Sequence, residues 1–157
     1  MQVYRIEREK YLSDVLSGGG AQLSSGNRWN SFGTRMVYCS QHRSLAMLEL
    51  AVHLDLAADL PKDRWLVSLE IPDDMYIQSV DPSQLPPNWA DQPPGRPTQW
   101  MGDQFVLKAQ AAVLCLPSAI IAEEYNFLIN PLHPEAQNIQ VVGQRPILID
   151  QRLQRDE

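Results

Sequence analysis

The amino-acid sequence predicts a mixed α+β fold in which a largely antiparallel sheet is flanked by helices. Short apolar or alternating segments recur along the chain and indicate strands, while segments with helical spacing lie between some of them. Six of the 12 prolines fall between residues 81 and 99, which disfavours a helix or an internal strand there. Because 157 residues suffice for one hydrophobic core, we expect a single domain spanning residues 1 to 157.

The first half of the chain is predicted to contain two strands, each followed by a helix. VYRIE at 3 to 7 predicts a strand, and REKYLSDVL at 8 to 16 predicts a short helix that the glycines at 18 to 20 terminate. MVYCS at 36 to 40 predicts a buried strand, and a helix follows from about His42 to Ala58. The three glycines could also offer N–H groups to a phosphate. Because no Walker-type lysine follows them, a flexible helix exit is favoured.

The second half of the chain is predicted to supply most of the antiparallel strands. The proline-rich segment from 81 to 99 is predicted to be a long surface loop, and loops of that length are usually functional or disordered. The remaining predicted elements are strands at 65 to 71, 75 to 80, 112 to 117, 119 to 130, 138 to 142 and 146 to 150, and a helix from about Gln99 to Ala111.

Composition and charge exclude several classes of protein. The net charge of −6 disfavours a direct nucleic-acid-binding surface, which needs clustered lysine and arginine. No apolar run approaches the ~18 to 20 residues of a membrane helix, and the charged start MQVYRIEREKYL does not resemble a secretion signal, so we expect a cytoplasmic protein. Cys39 and Cys115 lie in apolar segments and are expected to be reduced thiols. The three histidines are dispersed, and we predict no metal site.

Glu49 is the strongest clue to function that the residues themselves provide. It is the only polar side chain in LAMLELAV at 45 to 52, and helical spacing puts it beside an apolar stripe. The stripe consists of Leu45, Leu48, Val52 and Leu56. A buried carboxylate needs hydrogen-bond donors or a positive charge. Glu49 is therefore either a site carboxylate in a cleft or part of a structural ion pair, and the two interpretations carry equal weight. The possible ion-pair partners are Arg28, Arg35 and Arg43.

Five motifs in a fixed order carry a resemblance to a known family. They are GNRWN at 26 to 30, MVYCS at 36 to 40, SLAMLEL at 44 to 50, LPSAI at 116 to 120 and EEYNFLINPLHP at 123 to 134. As a set they resemble the RES domain, which is named for its arginine, glutamate and serine. Each motif alone is weak, but their order and spacing agree over nearly the whole chain.

The resemblance implies a fold, an activity and partners. RES proteins have a fold similar to that of ADP-ribosyltransferases and are toxins of bacterial type II toxin–antitoxin pairs. The resemblance therefore implies an enzyme that degrades NAD⁺ by phosphorolysis, giving nicotinamide and ADP-ribose 1″-phosphate. NAD⁺ and inorganic phosphate would be its substrates, with no further cofactor. The alternatives are an ADP-ribosyltransferase that modifies a cellular protein, an NAD⁺ glycohydrolase, and a binding module without turnover.

The resemblance also implies which residues carry the chemistry. The arginine, tyrosine and glutamate of the family match Arg28, Tyr38 and Glu49, which we expect to be the catalytic set. A carboxylate such as Glu49 can stabilise the positive charge that builds on the ribose, or hold a ribose hydroxyl. Arg28 would donate to the pyrophosphate, and Tyr38 would stack on a ring or donate from its hydroxyl.

A second group of residues is expected to contact the substrate. Ser118 matches the serine of the family, while Trp29, Asn126 and Asn130 are weaker candidates. Packing is the alternative role for Trp29, and turn hydrogen bonding is the alternative for both asparagines, especially Asn130, which precedes a proline. Arg35 is a candidate for the inorganic phosphate, although a surface arginine is an equally good interpretation.

The expected partner is an Xre-like antitoxin whose terminal segment occludes the active site. Any DNA binding would belong to that antitoxin, which agrees with the acidic charge of this chain. A homodimer within the toxin–antitoxin complex is also expected from the resemblance.

Overall fold

The computed structural model describes residues 1–55 and 60–153 and contains one seven-stranded sheet. The strands are β1 (Gln2–Arg8), β2 (Val37–Ser40), β3 (Arg64–Glu70), β4 (Ile77–Ser79), β5 (Val113–Pro117), β6 (Tyr125–Ile129) and β7 (Gln140–Ile147). Their order across the sheet is β4-β5-β6-β2-β1-β3-β7. All neighbours pair antiparallel except β4 and β5, which are parallel. The predicted fold class is therefore confirmed.

Helices or 3-10 turns lie in the connections between strands, except between β3 and β4 and between β5 and β6. The α-helices are α1 (Gly19–Gln22), α2 (Arg43–Ala51) and α3 (Arg96–Lys108), and 3-10 turns span Glu9–Asp14, Pro82–Gln84, Pro134–Asn138 and Gln151–Leu153. Within the described residues, no helix has both the length and the apolar character needed to cross a membrane.

Both faces of the sheet bury apolar side chains. Along β5, Val113 belongs to a cluster with Val37 and Val67, whereas Leu114 belongs to a second cluster with Phe105. Successive residues of a strand point to opposite faces, so a strand buried on both sides has a continuous apolar sequence. This explains why AVLCLP shows no polar alternation. Cys39 and Cys115, further along these strands, are free thiols.

The glycines at 18 to 20 begin a helix rather than end one, so the predicted flexible helix exit is wrong. The segment before them forms only a 3-10 turn, at Glu9–Asp14, and Gly18 then caps α1. Gly18 has a left-handed backbone with φ of 69°, and a Cβ there would lie 2.7 Å from the backbone nitrogen of Met36. Glycine is required at this position by both conformation and space.

The second helix is shorter than the predicted span from His42 to Ala58. α2 ends at Ala51, and the last predicted residues, from 56 onward, lie outside the described part of the chain. Val52 follows the helix as its C-cap and is 56% exposed, so its predicted place on the buried stripe is wrong. Leu45 is buried as predicted, at 1% exposure.

The proline-rich segment was predicted to be a loop up to residue 99, but its last residues belong to a helix. α3 begins at Arg96, before the predicted start at Gln99, and includes Pro97 in its first turn. A proline is tolerated there because the first N–H groups of a helix have no intrahelical acceptor. The helix ends early, at Lys108, where Ala109 takes a left-handed conformation with φ of 46°.

Two strand predictions after residue 118 also need correction. The predicted strand from 119 to 130 is paired only over Tyr125–Ile129, because the chain before it forms a turn on Ser118. The two predicted strands at 138 to 142 and 146 to 150 are one strand, β7. Pro146 does not interrupt it because β7 is an edge strand, where a missing N–H can face outward.

The two central strands β1 and β2 separate from each other, and this separation positions the functional site. They share one paired position, Tyr4 with Ser40. By contrast, β1 pairs with β3 along its whole length, and β2 pairs with β6 at every residue. β3 therefore holds β1 and β6 holds β2, while β1 and β2 are paired with each other at only one position. The gap between β1 and β2 leaves a cleft within the sheet.

Candidate active site

A cavity of about 1150 Å³ occupies the region where β1 and β2 separate. Its wall includes β1, the chain from residue 17 to 29, β2 and α2. Two further pieces close it, Ala90 to Pro94 of the proline-rich segment and the turn at Ala119 and Ile120. Arg28, Trp29, Tyr38, Glu49 and Asn126 all line this cavity. Most of the predicted site therefore converges on one space large enough for a dinucleotide.

Glu49 projects from α2 and is held by neutral hydrogen-bond donors. Its Oε1 accepts from Asn126 Nδ2 at 2.6 Å and from Ser118 Oγ at 3.1 Å. Among the described residues it forms no ion pair within 4 Å, so the structural ion pair considered for Glu49 is not found there. The two donors fix the orientation of its carboxylate at the cavity wall.

Ser118 lies behind Glu49 and links it to the turn after β5. Its Oγ accepts from the N–H groups of Ile120 at 3.0 Å and Ile121 at 3.3 Å, and donates to Glu49. The side chain is 1% exposed and is not part of the cavity wall. In this structure, Ser118 therefore acts on the site through the carboxylate that it holds.

Ser40 is a residue of the site that the sequence did not identify. It pairs with Asn126 across β2 and β6, and its Oγ donates to Asn126 Oδ1 at 3.0 Å. This bond fixes which end of the Asn126 amide faces Glu49, so the amide must present its NH₂ group. One feature of the sequence could have identified Ser40. It ends an apolar strand two residues after Tyr38, and strand alternation puts both side chains on the same face of the sheet.

The Tyr38 hydroxyl is engaged by the loop before β2. It donates to Asn30 Oδ1 at 2.7 Å and accepts from the Trp29 N–H at 3.1 Å. Burial raises the pKa of Tyr38 well above its ordinary value, so the phenol stays protonated. Asn30, also missed from the sequence, is fully buried and donates to the carbonyl groups of Ala21, Ser31 and Thr34. Tyr38 and Asn30 together set the shape of the 26–34 loop.

Arg28 connects the loop before β2 to the proline-rich segment. Its Nη1 donates to the carbonyl groups of Trp89 at 2.6 Å and Asp91 at 2.9 Å, and its Nη2 donates to Gln92 Oε1 at 3.3 Å. Burial lowers its pKa, and the negative charge of Glu49 opposes that shift. The Nε–H and one Nη2–H take no acceptor among the described residues and are available to a ligand.

Trp29 has a packing role in addition to lining the cavity. The side chain is 3% exposed, and its ring stacks on Trp89 with centroids 6.0 Å apart. The carbonyl group of Trp29 lies against Gly102 of α3, where a Cβ would come within 1.6 Å of the oxygen. The 26–34 loop is thus clamped between the proline-rich segment and α3.

Asn130 and Arg35 are not brought to Glu49. The Asn130 side chain is buried, donates to the Val106 carbonyl at 3.3 Å and accepts from the Leu132 N–H at 3.0 Å. The second bond belongs to a turn and the first ties that turn to α3, and Asn130 does not line the cavity. Arg35 is an exposed residue of the cavity wall whose Nε donates to Gln22.

Comparison with protein families places this geometry in context. The model of the RES domain matches residues 2–154. The chain belongs to the RES domain family. The RES match covers the cavity, both separating strands and the proline-rich segment, so the family assignment applies to the whole site.

Similar proteins agree with this assignment. The chain is 41% identical over 147 residues to the Prs ADP-ribosylating toxin of Sphingobium sp., covering 92% of this chain and 90% of that protein. It is 34% identical over 154 residues to Toxin Res of Photorhabdus laumondii, covering 98% and 97%. It is 38% identical over 130 residues to Toxin Res of Pseudomonas putida, covering 80% and 84%.

A solved structure shares the fold of this RES domain. A chain of the M. tuberculosis MbcT–MbcA toxin–antitoxin complex superposes with a TM-score of 0.73, at 16% sequence identity, covering 93% of this chain and 83% of that one. The two chains therefore share the overall fold.

Proposed function

We propose that this RES domain is the toxin of a bacterial toxin–antitoxin pair and that it depletes NAD⁺ by phosphorolysis. The products are nicotinamide and ADP-ribose 1″-phosphate. The observation that carries the proposal is Glu49, a carboxylate oriented by neutral donors at the wall of a dinucleotide-sized cavity. The names of the Sphingobium, Photorhabdus and Pseudomonas relatives support the toxin role.

The reaction breaks the bond between the nicotinamide nitrogen and C1″ of the ribose. Both electrons of the bond stay on the nitrogen, so the pyridinium charge disappears and positive charge develops on the ribose. An oxygen of inorganic phosphate then forms the new bond to C1″, and no oxidant or reductant is needed. Glu49 stabilises the developing charge or holds a ribose hydroxyl beside it. Its fixed orientation means that little reorganisation is needed as the charge develops.

Other residues of the site orient the substrate and the carboxylate. Asn126 and Ser118 hold Glu49, and Ser40 holds Asn126. Arg28 directs its remaining donors to the pyrophosphate while its Nη1 keeps the proline-rich segment over the cavity. Tyr38 contributes its ring as part of the wall, since its hydroxyl is used by the loop. No cofactor beyond the two substrates is invoked.

Transfer of ADP-ribose to a protein is the main alternative, and the name of the Sphingobium relative favours it. Phosphorolysis and transfer both break the bond at C1″ and differ only in the acceptor. Glu49 therefore acts on the ribose in the same way in both reactions. Hydrolysis, with water as the acceptor, is the third outcome of the same cleavage.

The proposed partner is an Xre-like antitoxin. The structural neighbour is the toxin of a toxin–antitoxin complex, which supports an antitoxin partner for this chain as well. A terminal segment of the antitoxin would occupy the cavity and block NAD⁺. Because this chain is acidic, any DNA binding by the complex is assigned to the antitoxin. The proposal also includes a homodimer of this chain within the complex.

The test is nicotinamide release by the purified chain from NAD⁺, with and without inorganic phosphate and with a labelled-protein readout. Phosphate-dependent release without protein labelling supports phosphorolysis. Labelled protein instead supports transfer, and release that ignores phosphate supports hydrolysis. No release by a folded preparation refutes the enzymatic proposal.

A further inference from the structure

α3 contacts the loop that carries Arg28, and Gly102 is only one of three residues of the helix that take part. The others are Gln99 and Asp103, which lie three residues before and one residue after Gly102 and therefore share one face of the helix. Neither Gln99 nor Asp103 lines the main cavity. Any effect of these two side chains on a substrate in the cavity therefore passes through the loop.

Gln99 holds the backbone just before Arg28. Its Nε2 donates to the carbonyl group of Asn27 at 2.9 Å and to that of Ser25, which precedes the loop, at 3.1 Å. The carbonyl group of Trp29 also lies against α3, as described above. The residues directly before and after Arg28 are thus both fixed on this helix.

Asp103 holds the backbone further along the same loop. Its Oδ1 accepts from the Ser31 N–H at 3.1 Å, and its Oδ2 accepts from the Ser31 hydroxyl at 2.6 Å. Hydrogen bonds to a charged group are stronger than neutral ones, and two of them to one residue fix both its position and its orientation. In the part of the chain that the structure describes, Asp103 forms no ion pair within 4 Å, so the loop is the main partner of its carboxylate.

The guanidinium end of Arg28 is fixed as well, by the carbonyl groups of Trp89 and Asp91 and by the side chain of Gln92. Because α3 holds the backbone and the proline-rich segment holds the guanidinium, the two together set the direction of the remaining N–H donors. A displacement of about 1 Å in a group that orients the substrate can lower turnover by about 10²-fold. Contacts outside the cavity can therefore control how Arg28 meets a ligand.

We propose that Gln99 and Asp103 are positioning residues for Arg28, and that they fix the direction in which its free donors meet the substrate. This inference rests on the proposed use of NAD⁺, whose pyrophosphate is the group that Arg28 binds. Without the two side chains, the loop retains only the packing of Trp29 against Gly102 as a contact with this face of α3, and the donors lose their fixed direction.

The experiment measures the affinity of the purified chain for ADP-ribose by calorimetry. ADP-ribose carries the pyrophosphate of NAD⁺ but no bond to nicotinamide, so binding is measured without turnover. Gln99→Met keeps the length of the side chain and removes its donors, while Asp103→Ala removes both acceptors. Asp103→Asn is the conservative variant, because it keeps an oxygen for the Ser31 N–H. Gln104→Met is the matched control for Gln99→Met, since Gln104 is on α3 but forms no hydrogen bond with the loop among the described residues.

Gln99→Met and Asp103→Ala are each expected to weaken ADP-ribose binding by about tenfold, which is the effect of one lost hydrogen bond between charged groups. Asp103→Asn should stay within about threefold of the unmodified chain, and Gln104→Met should bind as the unmodified chain does. The same substitutions are then combined with Arg28→Lys. Their effects should shrink to less than about twofold in that background, because lysine has no planar fork to position.

Two results overturn the inference. One is unchanged binding in both Gln99→Met and Asp103→Ala. The other is an effect that adds fully to that of Arg28→Lys, since the contacts with α3 would then act independently of the arginine. Absence of ADP-ribose binding by the folded, unmodified chain refutes the proposed dinucleotide site and this inference with it. Binding that depends on all three residues, without any cleavage of NAD⁺, refutes the proposed enzyme and leaves the positioning role standing.

Discussion

Substitution of Glu49 by glutamine separates a catalytic role of this residue from a structural one. Glutamine has nearly the same shape, and its carbonyl oxygen can accept the same two hydrogen bonds, from Asn126 and Ser118. The variant removes the negative charge from the cavity while keeping α2 and its contacts. We expect a folded protein with little or no NAD⁺ turnover.

The expected magnitudes follow from the two contacts. Hydrogen bonds to a charged group contribute about 1.5–3 kcal/mol each and neutral ones about 1 kcal/mol, so two weakened bonds cost roughly 1–4 kcal/mol. Removing a half-buried charge offsets part of this cost, which leaves an expected loss of about 1–2 kcal/mol in the free energy of unfolding. Loss of a preorganised electrostatic group instead lowers turnover by about 10²–10³-fold.

The assay compares initial rates of nicotinamide release, normalised to folded protein, with urea unfolding of the same samples. Glu123→Gln is the matched control, because Glu123 is an exposed carboxylate near the same turn. Its rate and stability should match those of the unmodified chain. If Glu49→Gln loses stability but retains more than about a tenth of its activity per folded molecule, the catalytic role assigned to Glu49 is wrong.

Three further changes test how the site is held. Tyr38→Phe removes the hydroxyl that binds the Trp29 N–H and Asn30 Oδ1. Because both buried groups then lack a partner, the free energy of unfolding measured by urea titration should fall by about 1–3 kcal/mol. Because burial raises the pKa of Tyr38, the unmodified chain should also lose stability above about pH 10, where only the unfolded tyrosine ionises, and the variant should lack this contribution. Gly102→Ala should prevent folding, as judged by circular dichroism, because the added Cβ would overlap the Trp29 carbonyl group. The control Gly20→Ala should fold, because a Cβ at residue 20 would meet open space. Arg28→Lys should raise the KM for NAD⁺ and the protease sensitivity of residues 88 to 92. A single ammonium nitrogen cannot reproduce the planar arrangement in which Nη1 holds two carbonyl groups and Nη2 holds the Gln92 side chain. Unchanged values would mean that the arginine does not anchor this segment.

The sequence predicted the strands of the fold better than its connections. Strand signals such as VYRIE and WLVSLEI depend on local alternation, and β1 and β3 lie where the pattern indicates. Connections depend on contacts that no local pattern contains. Gly18 begins α1 because the chain passes against Met36, and the two short apolar segments near the C-terminal end merge into β7 because β3 offers a continuous edge.

The candidate site was predictable as a set of motifs but not as a geometry. The resemblance identified Arg28, Tyr38 and Glu49, and the structure brings all three to one cavity. It could not indicate that Arg28 also holds the proline-rich segment, because that contact spans 61 residues. Ser40 was missed because its function depends on its pairing with Asn126, which only the strand register reveals.

The most direct test of phosphorolysis is the origin of the oxygen that becomes bonded to C1″ of the ribose. The purified chain is incubated with NAD⁺ and ¹⁸O-labelled inorganic phosphate in ordinary water, and the products are resolved by mass. The account predicts ADP-ribose phosphate that retains the full phosphate label, with a matching yield of nicotinamide, and loss of both products in Glu49→Gln. Unlabelled ADP-ribose as the sole sugar product, or ADP-ribose attached to protein, would contradict it.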